Sequence, residues 1–301
     1  MEEQRIYVSI NDAVKAVFGS GVTVAAKRGV SGGDINAASC AELSNGERVF
    51  IKSNRSKDVD FFVCESEGLE AIERTDTLRV PKVLAVGKDA QAGAFLMLAY
   101  VPSVHKNGDY WEALGEGLFA MHHADTKSLV PGGKYGFYKD NYIGARRQVN
   151  TPKDSWVDFF RECRLEPRVK ETESYFDSDM RKRILTLFDR LDRWIAEPKV
   201  PSLLHGDLWG GNVLCGSDGS AWLIDPAAYV GAAEADLAMT ELFGGFSGEF
   251  YRAYFARAGK EPGYEDRREL YNLYHLLNHL AMFGRSYYVS VERIVKRYTW
   301  L

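Results

Sequence analysis

The segment His205-Gly206-Asp207-Leu208-Trp209-Gly210-Gly211-Asn212 sets an aspartate five positions ahead of an asparagine. An ionised carboxylate can accept the proton of an attacking hydroxyl. An amide oxygen is a hard ligand of the kind magnesium prefers. Thirteen residues past Asn212, Trp222-Leu223-Ile224-Asp225-Pro226 reads as an apolar strand ending in an acid, a second candidate metal ligand. Upstream, Val49-Phe50-Ile51-Lys52 reads as a strand ending in a lysine that can hold phosphates. Glu65, on the helix expected next, is placed to fix that lysine, with Glu67 as a rival on the same helix. In this order the parts suit phosphoryl transfer from ATP: Asp207 as base, Asn212 and Asp225 on the metal, Lys52 and Glu65 at the phosphates. ATP and Mg2+ are the expected cofactors.

Two weaker features fit the same chemistry. The loop Ser31-Gly32-Gly33-Asp34-Ile35-Asn36 lies between two expected strands, and Gly32 and Gly33 would let backbone amides approach phosphates. A plain hairpin turn suits it equally well, and the full Gly-x-Gly-x-x-Gly pattern is absent. Residues Met97-Leu98-Ala99-Tyr100-Val101 fall where two lobes would join. There Met97, Ala99, Tyr100 and Val101 are expected to border the adenine. Ala99 and Val101 would offer backbone groups, since alternate groups of an extended chain point the same way. Two histidine pairs read as structural. His275-x-x-x-His279 lacks the glutamate of a zinc protease motif and suits a packed helix. His122-His123 suits a helix C-terminus, where cations are favoured.

The elements that must position these groups are legible as pattern. A short helix over the first twenty residues ends at Gly19-Ser20-Gly21. Strands are expected over 22–27, 35–43 and 48–52, with Asn45-Gly46 as a tight turn between the last two. A helix over 61–74, a sheet segment opening at Val80-Pro81-Lys82-Val83 and an apolar strand over 95–101 follow. Beyond Pro102, helical spacing dominates: Leu114, Leu118 and Met121, then 156–169, then Met180, Ile184, Leu187, Leu191 and Ile195. Residues 131–152 read as loop, 203–236 as short strands and loops, and the last 65 as helices. The expected fold class is α+β with two lobes: a small β-rich ATP-binding lobe over 1–98, a hinge at 99–103, and a larger helical lobe over 104–301. The larger lobe would carry the catalytic loop and the substrate site, and a cleft between lobes is a common ligand site.

Composition narrows the partners. The 301 residues are 46% hydrophobic and 27% charged, an ordinary globular mix. A net charge of −4 offers no basic field for nucleic acid or an anionic membrane. Cys40, Cys64, Cys163 and Cys215 form no CxxC pair. With no signal-like start and no run of ~20 apolar residues, a cytoplasmic protein is expected. No feature sets an oligomeric state.

Taken together, these residues resemble the fructosamine kinase (ketosamine-3-kinase) family, relatives of the aminoglycoside and choline kinases. The wider group shares His-Gly-Asp…Asn and the later aspartate. The narrower resemblance adds Leu208-Trp209-Gly210-Gly211-Asn212, Ile224-Asp225-Pro226-Ala227, Glu234-Ala235-Asp236-Leu237-Ala238-Met239 and Leu242-Phe243-Gly244-Gly245-Phe246. Asn141-Tyr142-Ile143-Gly144 and Tyr274-His275-Leu276-Leu277-Asn278-His279-Leu280 look like the same family, so the likeness spans nearly the whole chain. It implies a protein-kinase-like two-lobed fold. It also implies transfer of the γ-phosphate to the 3-hydroxyl of a ketosamine, free or on a glycated protein, as deglycation repair. On that reading Trp209 offers a face to the sugar ring, Asn141, Gln148 and Asn150 bond its hydroxyls, and His205 and Asp236 support the catalytic loop. Some relatives carry a cysteine in the glycine-rich loop; residues 31–36 contain none. Competing readings are a kinase of another small alcohol, such as an aminoglycoside or choline, and a nucleotide-binding pseudokinase. The pseudokinase reading is opposed by the presence of Lys52, Asp207, Asn212 and Asp225 together.

Overall fold

A computed structural model of the chain describes residues 5–30, 35–106 and 108–300. The first part is a six-stranded sheet. Its strands are β1 (Ile6–Tyr7), β2 (Val24–Val30), β3 (Ala37–Leu43), β4 (Arg48–Asn54), β5 (Val83–Asp89) and β6 (Gly93–Ala99), in the order β1-β5-β6-β4-β3-β2. All pairings are antiparallel except β1 with β5. The turn expected at Asn45-Gly46 forms there, with Gly46 in the left-handed region at φ 85° and Leu43 N–H donating to Glu47 O at 2.8 Å.

Side chains alternate across this sheet, and the alternation decides which residues meet a ligand. Val49 and Ile51 of β4 and Met97 of β6 point to one face. There they pack with Ala13 and Val14 of α1 (Ile10–Phe18), a helix capped by Ser9, which accepts from Asp12 N–H at 3.0 Å. Phe50, Lys52 and Leu98 point to the other face, toward α2 (Val59–Glu73) and the cleft. Expected strand ends differ from the observed ones by two or three residues, because pairing, not hydrophobicity, sets where a ladder stops.

After β7 (Ser103–Val104) the chain is mainly helical: α3 (Tyr110–His122), α4 (Trp156–Phe159), α5 (Glu166–Glu171), α6 (Ser178–Asp189), α7 (Ala233–Leu242), α8 (Gly248–Ala258), α9 (Tyr264–Phe283) and α10 (Tyr288–Tyr298). Short strands interrupt it: β8 (Asn141–Ile143) and β9 (Arg146–Gln148) as a hairpin, then β10 (Ser202–Leu204), β11 (Val213–Gly216), β12 (Ala221–Leu223) and β13 (Tyr229–Gly231). The hairpin lies where sequence suggested only loop. Its inward residues are two amides, Asn141 and Gln148, and a single apolar residue, Ile143, too little apolar alternation to announce it. The expected helix over 156–169 is present but widened: residues Phe160–Leu165 form a π-helical segment between α4 and α5. Pro167 follows in the first turn of α5 and has no N–H to give, and the wide segment brings Arg164 inward, fully buried.

Helices α3 and α8 meet through Gly115. A β-carbon there would lie 2.5 Å from Phe250 O and 3.0 Å from Ala253 Cβ. Gly115→Val should therefore force the two helices apart and lower the unfolding free energy by about 1–3 kcal/mol, measured by urea denaturation. Gly132→Ala, at a position with open space around it, serves as the comparison, with only the smaller cost of its left-handed backbone.

Candidate active site

The catalytic-loop residues are held chiefly by backbone bonds. β10 delivers the chain to Gly206, whose φ is 81°. A β-carbon there would sit 2.1 Å from Ala227 O, so only glycine allows the two loops to touch. Ala227 N–H in turn donates to His205 O at 2.9 Å. Asp236, in the first turn of α7, accepts from the N–H groups of His205 at 2.7 Å and Gly206 at 2.9 Å. Burial alone would raise its carboxyl. The bond from His122, with the charges and N–H groups around it, holds the group below its ordinary value.

The two buried imidazoles here have distinct tasks. His205 Nε2 lies 2.9 Å from Ile224 O, and Asp207 N–H donates to Nδ1 at 3.3 Å. A carbonyl only accepts, so both bonds require the neutral Nε2–H tautomer. Burial favours that form by lowering the His205 pKa, against the opposing pull of Asp236. His122 departs from the expected helix-end cation. It is buried, with Nε2 3.2 Å from Asp236 and Nδ1 2.8 Å from Tyr254 Oη. Sequence placed it at a helix end; the packing of α8 over that end makes it a brace.

Asp207 and Asn212 face each other across the loop. Asn212 Nδ2 donates to Asp207 O at 2.9 Å and approaches Asp207 Oδ2 at 3.4 Å. That leaves the amide oxygen as the group to meet a cation. Burial, with the charges of Asp225 and Asp236, pushes the Asp207 carboxyl up to about 7, against the bond from Asn212. Between them Trp209 lies over Gly211, where a β-carbon would meet the indole at 2.3 Å. The ring is 41% exposed on the cleft wall.

Lys52 closes the other side. Its Nζ is 2.6 Å from Glu65 Oε1 and bonds Asp225 Oδ1. Burial works to lower the lysine pKa, but the two carboxylates outweigh it and the net shift is upward. Glu67, the rival, is committed elsewhere, 2.6 Å from Lys139 Nζ. Asp225 stands in the left-handed region at φ 57°, a conformation aspartate tolerates better than most residues.

The cleft enclosed by these groups has a volume of about 1150 Å³. Ala99, Tyr100 and Val101 line it as expected from sequence, joined by Leu98, Phe50 and Ala38. Met97 does not line it: that side chain is buried beneath the far face of the sheet with Ile51 and Ala13. Along β6 its side chain falls on the face opposite that of Leu98, which does line the cleft. Ala99 N–H donates to Lys82 O at 2.9 Å, so on this residue only the carbonyl remains for a ligand. Gly32 and Gly33 lie outside the described residues.

The expectation for Asn141, Gln148 and Asn150 is corrected by their surroundings. All three are at most 3% exposed. Asn141 Nδ2 donates to Ala228 O at 2.7 Å, and Gln148 Nε2 to Ala227 O at 3.0 Å. Gln148 Nε2 and Asn150 Nδ2 both donate to Asn141 Oδ1, at 2.8 and 2.9 Å. Gln148 Oε1 accepts from Tyr274 Oη at 2.7 Å. Asn150 Oδ1 accepts from Arg164 Nη2 at 2.8 Å, with Arg164 stacked 3.8 Å over the Tyr229 ring. These amides are bonded to one another and to the backbone just past Asp225; Gln148 and Asn150 stand behind the cleft wall, which only Asn141 of the three reaches. Arg164 was missed because a lone arginine in a helical pattern carries no signal of burial.

The residues match the model of the fructosamine kinase family over 6–300. The chain belongs to that family. A ketoamine kinase assigned in Synechocystis sp. is 37% identical over 96% of this chain and 95% of its own. The chloroplastic protein-ribulosamine 3-kinase of Arabidopsis thaliana is 37% identical over 89% of this chain and 81% of its own. A crystal structure of a protein assigned as a fructosamine-3-kinase, from Haemophilus somnus, superposes with a TM-score of 0.84 at 26% identity, covering 96% of each chain. A thermostable aminoglycoside phosphotransferase superposes with a TM-score of 0.64 at 16% identity, over 97% of this chain and 100% of its own, which shows the shared protein-kinase-like fold. Among the described residues no helix is long and apolar enough to cross a membrane.

In this fructosamine kinase family member the amide net predicts a specific failure. Gln148→Leu should leave Ala227 O and Tyr274 Oη short of a partner and lower the unfolding free energy by about 2 kcal/mol. Chemical denaturation measures that loss. A raised ketosamine KM with stability unchanged would instead restore Gln148 as a sugar ligand.

Proposed function

We propose that this protein is an ATP-dependent kinase that transfers the γ-phosphate to the 3-hydroxyl of ketosamines, fructosamine or ribulosamine adducts on amines or proteins. One observation carries the reading: Asp207 with Asn212, and Lys52 with Glu65 and Asp225, line one cleft beneath Ala99–Val101. In this reading residues 1–98 form the ATP-binding lobe, 99–103 the hinge, and 104–301 the acceptor lobe. The Ala99 carbonyl and the Val101 backbone meet adenine. Lys52, fixed by Glu65, neutralises phosphate charge.

The donor set suits a magnesium ion. Glu65 and Asp225 pair with the single ammonium of Lys52, and Asp207 lines the same cleft, so three acids share one lysine. Asp225 is the opened arm of the Lys52 triad: its side chain is 43% exposed against 8% for Lys52 and 12% for Glu65. Asp225 and the Asn212 amide oxygen would hold the ion, which when bound neutralises charge developing on the phosphates. Asp207, pinned from behind through His205 and Asp236, accepts the proton of the acceptor hydroxyl, and Trp209 offers its face to the sugar. Phosphate leaves far more readily than hydroxide, so the 3-phosphate opens an elimination that ends with release of the amine, a repair outcome. Four free cysteines agree with a cytoplasmic setting.

Asp207→Asn should lower kcat by about 10²–10⁴-fold while the ATP dissociation constant changes by less than about 3-fold. Lys52→Met should do the reverse in part, raising the KM for ATP. The substrate class is tested by ATP consumption with ribulose-lysine, fructose-lysine, choline and kanamycin side by side, with and without a magnesium chelator. Turnover of a ketosamine, lost on chelation, is expected. Turnover of choline or kanamycin alone would overturn the reading.

A further inference from the structure

One end of the cleft is walled by rings rather than by acids. Phe243, the residue just after α7, lies 5.0 Å between centroids from His279 of α9. His279 lies 5.5 Å from Phe283 and 5.0 Å from Tyr287, and Phe283 lies 6.3 Å from Tyr287. All four rings line the same cleft as Asp207. Phe243 and Phe283 are 43% and 47% exposed, whereas the other phenylalanines of this chain are buried or half-buried. Exposed aromatic surface inside a binding cleft is the informative departure from normal burial.

The chemistry of His279 fits the same use. Its Nδ1 is 2.8 Å from His275 O, so Nδ1 carries the proton and Nε2 keeps its lone pair. Burial lowers the His279 pKa, which favours the uncharged ring. Among the described residues lining the cleft the acids are Glu65, Asp207 and Asp225, and none stands on α7 or α9.

A ketosamine differs from the free ketose by its secondary amine, largely protonated near neutral pH. We propose that Phe243, His279, Phe283 and Tyr287 form an ammonium subsite that recognises this amine and selects ketosamines over free ketoses. Ring faces attract the cation, and the His279 Nε2 lone pair accepts an N–H from it. A carboxylate would bind the amine too, but it would add negative charge to a cleft already lined by three acids. The subsite rests on the kinase reading above and names what that kinase selects.

The test compares four acceptors with the full-length protein: ribulose-lysine, the same compound N-acetylated at the glycated nitrogen, the N-ethyl analogue of similar bulk, and ribulose. With wild type, the neutral N-acetyl compound and ribulose are expected to show KM values about 10-fold higher, while the cationic N-ethyl analogue stays within about 3-fold. In Phe243→Leu/Phe283→Leu the KM for ribulose-lysine should rise about 10-fold, with the KM values for the N-acetyl compound and ATP nearly unchanged. Phe283→Tyr, which keeps a ring face, should keep the wild-type KM. Equal KM for neutral and cationic acceptors in wild type, or discrimination that survives the double leucine change, would overturn the subsite. A wild-type protein that phosphorylates no ketosamine would overturn the kinase reading itself, and the subsite with it.

Discussion

The structure turns on a buried ammonium. Lys52 has an 8% exposed side chain, and an unpaired charge so placed would cost several kcal/mol. It is tolerated because Glu65 comes from α2 and Asp225 from the loop after β12. The pairing thus ties three separate stretches of chain, and it sets where the sheet stands relative to the helical part. Buried ion pairs contribute little net stability. Their use here is positional: moving β4, α2 or the Asp225 loop strands a charge, so the three keep one arrangement.

Similar carboxylates are sorted into different duties by their surroundings. Asp236 is surrounded by donors, two of them backbone N–H groups, and stays ionised deep in the protein. Asp207 is raised first by burial and then by the two acids nearby, with only one amide to oppose them. Glu65 is raised by burial, against the pull of Lys52. The contrast follows from counting donors and neighbouring charges. It gives one acid the work of holding the loop and another the capacity to take a proton.

Sequence disclosed the groups that do chemistry and hid those that hold them. Asp207, Asn212, Asp225 and Lys52 stand at spacings that few other purposes require. Sheet and helix order followed from apolar periodicity, with ends off by a few residues. Asn141, Gln148 and Asn150 were misjudged because a string of amides in a glycine-rich stretch looks like exposed loop. Its burial depends on Arg164 and on carbonyls far along the chain. The wide helical turn at 160–165 was illegible for a similar reason, since Pro167 perturbs the helix without erasing its apolar stripe. Glu65 over Glu67 was undecided until the third dimension gave Glu67 to Lys139.

The left-handed backbone at Asp225 narrows what substitution can reach. Residues that adopt this conformation readily are glycine, asparagine and aspartate. Glutamate keeps the charge but not the backbone preference, and glycine and asparagine keep the backbone but not the charge. Mutational drift at this position has no neutral neighbour to step onto, so the main chain and the Lys52 charge together guard the identity of the acid before any demand from catalysis is felt.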